Sequence, residues 1–399
     1  MRLIQHGGFV FAALAIVALL GACATSPNPA PATVAEAAEH DLPLRVSWVK
    51  TLVQPQLEDR WRPMQYGTPV VHEGVVYLGN NDSRFFAFRS SDGATLWRFD
   101  AFGPIESAAV IVGENVIFGD SDGLVYCLDR ATGFVKWTYR VQGQVMGHLV
   151  SDGELVFVRT NHERLYAITL ADGKWKWMQS RQVPNGFTIR GVASPVIDGN
   201  RILVGYADGY FLAYRTTDGA EMFKTLLEKG ERFIDVDTTP LVENGRIFVA
   251  GYNGNFYCLN SENAAIQWTY RHGGIQKAAV VGDFVYAGDD AGQVHALDKK
   301  TGQEAWTFDL READKKQSIA KGPRRRLKAP TNALPFEDYL LIGSSDGFLF
   351  ALALDDGSAL WSYWPGFGIT AELVTDGGAV YIHTNYGNLY CLKPNYQVR

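Results

Sequence analysis

The chain has 399 residues, of which 47% are apolar and 13% aromatic, with a formal net charge of −6. That is ample for a large buried core, and the mild acidity gives no general case for nucleic-acid binding. Length alone suggests two or three domains.

Residues 1–22 carry one basic residue and then an apolar run ending in small residues. The run is short for a spanning helix and fits the apolar region of a secretory signal. Leu20-Gly21-Ala22-Cys23 resembles the lipobox of bacterial lipoproteins, in which cleavage before the cysteine leaves it to be lipidated. By that resemblance Cys23 is the lipidation site and anchors the chain to a membrane. Ala24, rather than Asp, after the cysteine implies the outer membrane, with the folded body in the periplasm. The plainer alternative is an ordinary signal peptide with a chance cysteine. Residues 23–41 then form the lipidated cysteine and a tether rich in Pro, Ala and polar residues, with no apolar period. Its typical reach is roughly 25 Å for a flexible chain of that length.

From residue 42 onward the chain repeats. Its units read PVV-x-x-G-VVYLG-x-x-DG-x-LYALD-x-x-TG-x-x-x-W, and seven of them end in turn at Trp97, Trp137, Trp177, Phe223, Trp268, Trp306 and Trp361. Within each unit, short apolar runs are separated by Gly, Asp-Gly or Asn-Gly, which predicts four antiparallel strands joined by tight turns. A period of about 40–50 residues with four strands per unit is the signature of propeller blades. The last unit, AELVTDGGAVYIHTNYGNLYCLK, has three strands. The lone strand LPLRVSWVK near the start, with Trp48 in the expected place, supplies its fourth. The expected fold is therefore an all-β, eight-bladed propeller over residues 42–399, closed by its two termini, with the tryptophans wedged between blades. Cys127, Cys258 and Cys391 recur in one slot that alanine fills elsewhere, so they read as small buried residues rather than disulfide partners or metal ligands.

In such a ring the segment joining one blade's outer strand to the next blade's inner strand crosses one face toward the axis. Two of these segments are unusual. NGFTIRGVASP (185–195) enters blade 4 and FIDVDTTP (233–240) enters blade 5, which places Arg190 near Asp235 and Asp237 on a common face. Phe187 and Ile189 add an apolar pair. An internal salt bridge that only shapes two loops is one reading; a mixed aromatic, aliphatic and charged patch of the kind that anchors protein interfaces is the other. The connection 310–330 is long and holds Lys321, Arg324, Arg325, Arg326 and Lys328, which suits either a solvated loop or contact with acidic groups.

The two motifs in order, Phe187-Thr188-Ile189-Arg190-Gly191 to Pro195 and then Asp235-Val236-Asp237-Thr238-Thr239-Pro240, resemble those of the BamB family of outer-membrane assembly lipoproteins. Phe187 and Ile189 stand where that family usually has leucines. The resemblance implies a non-catalytic scaffold that assists insertion of β-barrel proteins into the outer membrane. It implies that Phe187, Ile189, Arg190, Asp235 and Asp237 contact the periplasmic POTRA domains of the central barrel subunit, BamA, with unfolded outer-membrane proteins as further partners. Two other readings share the fold: a quinoprotein-type dehydrogenase, and a propeller scaffold of another envelope complex. The first would require a vicinal Cys-Cys pair and a calcium-ligating carboxylate set. No Cys-Cys, GxSxG or P-loop occurs, and the eight histidines show no HxxxH or HExxH spacing, so no cofactor, metal or catalytic residue is expected.

Overall fold

Eight four-stranded antiparallel sheets make up the described part of the computed structural model, which covers residues 43–53, 64–182, 193–230, 234–252, 254–274, 276–311, 329–366 and 368–395. The signal segment, Cys23, the tether, Phe187, Ile189, Arg190 and the basic cluster of the 310–330 connection lie outside the described residues.

Blade 1 shows the plan: an inner strand Val70–His72, then Val75–Gly79, Arg84–Arg89 and an outer strand Thr95–Asp100, each paired with the next. Blades 2 to 7 begin at Val110, Val150, Val196, Leu241, Ala279 and Leu334 and repeat that order. Blade 8 takes Val374–Thr375, Val380–His383 and Asn388–Pro394 from the end of the chain and Leu44–Thr51 from its start. In the outermost pair Trp48 faces Cys391.

The two middle strands of each blade read as runs of buried apolar residues because neighbouring blades cover both faces of the sheet. The outer strands alternate between exposed and half-buried positions, as at Thr95–Asp100 and Val135–Arg140. Accordingly the core is not one mass but eight clusters, one per seam between blades. At the seam of blades 1 and 2, for example, the rings of Phe85 and Phe118 stack at 3.9 Å. Near the axis, the segments leading into the inner strands bond to one another. His148 N donates to Ser194 Oγ (2.8 Å), and Thr238 Oγ1 donates to Gly274 O (2.7 Å).

The tryptophans do wedge between blades, and the geometry explains the Thr-Gly that accompanies them. Six of the wedge indoles, those of Trp48, Trp97, Trp137, Trp177, Trp268 and Trp306, donate to a backbone carbonyl of the next blade, such as Trp97 to Arg130 O and Trp137 to Leu170 O, both 2.9 Å, whereas the buried Trp361 N–H has no such acceptor among the described residues. The ring then lies flat on a turn glycine of that blade. A Cβ on Gly133 would stand 2.8 Å from Trp97, and the φ of +73° disfavours a side chain there as well. Opposite each tryptophan, on the neighbouring strand, sits the Ala/Cys slot: Ala87 faces Trp97, Cys127 faces Trp137 and Cys258 faces Trp268. Only a small side chain fits under the indole. Cys127, Cys258 and Cys391 are free and buried, and burial pushes each thiol up to about 11, so they are packing residues.

One seam departs from this rule at both partners. Blade 4 carries Phe223 where the others carry tryptophan, and blade 5 carries Ala264, at φ 54°, where the others carry the turn glycine. The smaller ring leaves room for the extra methyl. Phe223→Trp alone should therefore overpack the seam and cost about 1–3 kcal/mol. Combined with Ala264→Gly it should return close to wild type. Urea unfolding of the two single variants and the double variant measures the coupling; additive effects would mean that the two positions are independent.

Candidate functional site

Asp235 and Asp237 are 2% and 6% exposed, so the DVDTTP segment is not a surface loop but an insert between blades. Val236 between them is fully buried, and its carbonyl lies so close to Gly205 that a Cβ there would approach it to 2.0 Å. Backbone bonds hold the segment on both sides: Val236 N donates to Tyr206 O (3.1 Å), and Tyr252 N donates to Asp235 O (2.8 Å). Thr238 Oγ1, which donates to Gly274 O, also lies 3.0 Å from Ala250 O. With both sides covered, the alternation Asp-Val-Asp buries all three residues.

The buried cation that faces this pair among the described residues is Arg159, fully enclosed at the end of blade 3's second strand. Its Nη1 donates to Gly205 O (2.8 Å), its Nη2 pairs with Glu163 Oε2 (2.8 Å), and its guanidinium lies 4.1 Å from the Tyr206 ring centroid. Glu163 Oε2 also accepts the N–H of Ala207 (3.0 Å). The origin of the pair is visible in the repeat. Blades 2, 4, 6 and 7 read GDSDG, GYADG, GDDAG and GSSDG at this turn, whereas blade 3 reads RTNHE, with Arg159 and Glu163 in the two glycine positions. Glu163 keeps the left-handed backbone of the glycine it replaces, at φ 55°. That conformation costs a non-glycine residue roughly 1–2 kcal/mol, offset here by the buried pair.

Glu163 and Asp237 thus share the buried guanidinium of Arg159. Burial, and then the charges of Asp235 and Glu163, push the Asp237 carboxyl well above the usual carboxylate range, against the pull of Arg159. Asp237 Oδ2 has no hydrogen-bond donor among the described residues.

The segment that follows the FTIRG motif touches this locus directly. Ala193 hydrogen-bonds through its backbone to the Asp237 carboxyl, and Ser194 N donates to Thr239 Oγ1 at 3.3 Å. Ala193 lies three residues beyond Arg190 in the sequence. Beside it, Arg181 pairs with Asp208 at 2.5 Å, and its guanidinium lies 4.9 Å from the Tyr210 ring centroid.

Sequence reasoning missed Arg159 and Glu163, although a charged pair in two glycine slots is a readable signal. It also missed a group with metal-ligating composition, His272, Asp289 and His295. Those three come from a crossing segment, a strand end and a strand, so a search for histidine spacing within one element passes over them.

The family model described as "Outer membrane protein assembly factor BamB" matches residues 45–123 and 87–308. The chain is 33% identical over 391 residues to the BamB of Kangiella koreensis, covering 96% of each chain. It is 27% identical over 212 residues to the BamB of Escherichia coli, covering 51% of this chain and 50% of that one. Among solved structures, BamB from Moraxella catarrhalis superposes with a TM-score of 0.74 at 20% identity, over 88% of this chain and 99% of that one. A quinohemoprotein alcohol dehydrogenase from Comamonas testosteroni superposes with a TM-score of 0.68 at 14% identity, over 91% of this chain and 78% of that one. Likeness at these structural identities speaks for the propeller alone.

Proposed function

This chain belongs to the BamB family of outer membrane protein assembly factors, and from that premise we propose that it is a non-catalytic scaffold for β-barrel assembly. In this reading it is lipidated at Cys23, held at the periplasmic side of the outer membrane, and docks on the POTRA domains of the central barrel subunit. Phe187 and Ile189 supply apolar anchors and Arg190 the charged contact. Asp235 and Asp237, being buried, act from beneath. They hold Arg190 and set its loop, and the partner meets the loop rather than the carboxylates.

The observation that carries the reading is the bond between the residues after Arg190 and the buried DVDTTP segment. In this reading, fastening the chain where it leaves the motif lowers the ordering cost of docking. The likeness to a quinohemoprotein alcohol dehydrogenase is one of shared propeller architecture at 14% identity.

Calorimetry with the recombinant POTRA region tests the proposal, with melting curves alongside. Arg190→Glu and Phe187→Ala should each leave the propeller folded. Loss of a hot-spot side chain costs about 2 kcal/mol, near thirtyfold in affinity, and reversal of the arginine should cost more. Undiminished affinity in both folded variants would refute the docking site and leave Arg190 as an internal brace.

A further inference from the structure

We propose that His272, Asp289 and His295 form a site for one divalent transition ion of the zinc class, at the seam between blades 5 and 6. Asp289 follows the second strand of blade 6, Phe284–Gly288, and His295 lies in the third, Gln293–Asp298. His272 comes from the segment that leaves blade 5 after Ile266–Tyr270. Asp289 and His295 are buried, at 4% and 2% exposure, and His272 is exposed.

The spacing fits a small tetrahedral ion. His295 Nε2 is 3.2 Å and His272 Nδ1 is 3.4 Å from the same oxygen, Asp289 Oδ2, and the three ligand atoms all lie within 4.8 Å of one another. With metal–ligand bonds of about 2.0–2.1 Å, the edge of a tetrahedron is roughly 3.3–3.4 Å. Two edges are already at that length, and the exposed His272 is the ligand free to close the third. The open side leaves a fourth position for water. Two imidazoles and one carboxylate suit zinc, nickel or copper and disfavour calcium or magnesium, which take all-oxygen sets.

Outer contacts orient the ligands as metal sites require. His295 Nδ1 lies 3.0 Å from Thr307 Oγ1, 3.1 Å from the Tyr270 hydroxyl and 3.5 Å from Glu304 Oε2. The Tyr270 hydroxyl itself donates to Glu304. In the tautomer whose proton sits on Nδ1, facing the Thr307 and Tyr270 oxygens, Nε2 presents a lone pair to the Asp289 carboxylate; in the other tautomer Nε2–H donates to Asp289. In the first of these two acceptors face each other, and a shared cation satisfies both. Asp289 Oδ1 is meanwhile occupied by the N–H of Gln293 (2.7 Å), which leaves Oδ2 for the ion.

Blade 2 provides an internal control. There the equivalent aspartate, Asp120, gives its Oδ1 to the N–H of Leu124 (2.8 Å). Its Oδ2 accepts the Tyr126 hydroxyl (2.7 Å) and the N–H of Gly103 (3.1 Å), ordinary donors that complete a structural turn. In blade 6 the third-strand donor is replaced by His295, and the crossing segment contributes His272. The aspartate belongs to the repeat; the two imidazoles do not.

The test uses the tag-free mature chain, stripped with chelator and titrated calorimetrically with zinc chloride, with cobalt(II) as a spectroscopic stand-in. One equivalent should bind, raise the melting temperature by mass action, and give visible cobalt bands. His272→Ala should weaken binding at least tenfold without unfolding the protein, since the residue is exposed. The pair His272→Gly with His295→Tyr, which rebuilds the blade 2 arrangement, should stay folded and bind nothing at this site. Absence of saturable zinc binding by the wild type would overturn the proposal and leave a hydrogen-bond cluster. Equal binding by wild type and both variants would overturn it too, by placing the ion elsewhere.

Discussion

Deleting residues 42–51 should cost this propeller much of its stability, more than any single substitution in a blade core. The segment Leu44–Thr51 is the outer strand of blade 8, matched with Asn388–Pro394 from Leu44 opposite Pro394 to Thr51 opposite Asn388. Its removal strips a strand that is buried along nearly its whole length and leaves the backbone donors and acceptors of an edge exposed. It also removes Trp48, whose indole donates to Ser90 O (2.9 Å) and covers Gly93 of blade 1, so the seam between the ends of the ring loses its wedge. Trp48→Ala alone should destabilise by about 3 kcal/mol or more, as large aromatic truncations do. A peptide spanning residues 42–53, added in trans to the deleted protein, should raise its melting temperature by strand addition. Denaturation curves and peptide titration measure all three. If the deleted chain melts with the wild type, the last blade does not depend on this strand.

Much of the architecture is legible because the repeat is written in residues whose chemistry is local. The turn glycines, the tryptophans and the small residues facing them each answer to a contact within one blade or with the next. Their spacing therefore gives strand order and blade number directly. Even the exception at Phe223 can be read, since Ala264 stands in the matching place on the following blade. What lies in the departures is harder to see. Asp235 and Asp237 read as surface carboxylates because a crossing segment has no periodicity to report that both of its sides are covered. Arg159 and Glu163 are plain in RTNHE, but a search for what the units share passes over what one unit alone has. His272 and His295 belong to different blades, and only the ring brings them to Asp289.

The second large effect is expected at Arg159. Replacing it with methionine keeps much of the volume and removes the charge, leaving Glu163 and Asp237 without their buried cation and Gly205 O without its donor. Breaking a buried pair from one side costs about 3–5 kcal/mol, because the abandoned carboxylate stays in a low-dielectric site. Arg159→Lys should lie between, since an ammonium cannot span Gly205 O and Glu163 while lying flat on Tyr206. The pH dependence identifies the cause. Asp237 has its folded pKa above the unfolded value, so its penalty is complete above the folded pKa and fades as pH falls toward the unfolded one. Arg159 opposes that upward shift, so its loss should raise the Asp237 pKa further. The defect of Arg159→Met should then be larger at high pH than at low pH, because protonation of the Asp237 carboxyl relieves it. Changing Glu163 to glutamine in the same chain should recover part of the loss, because the remaining side chain no longer carries an unpaired charge. Urea midpoints at high and low pH decide the matter. A defect that is the same at both would mean that Arg159 contributes by filling space, and that the buried negative charge is balanced by some other group.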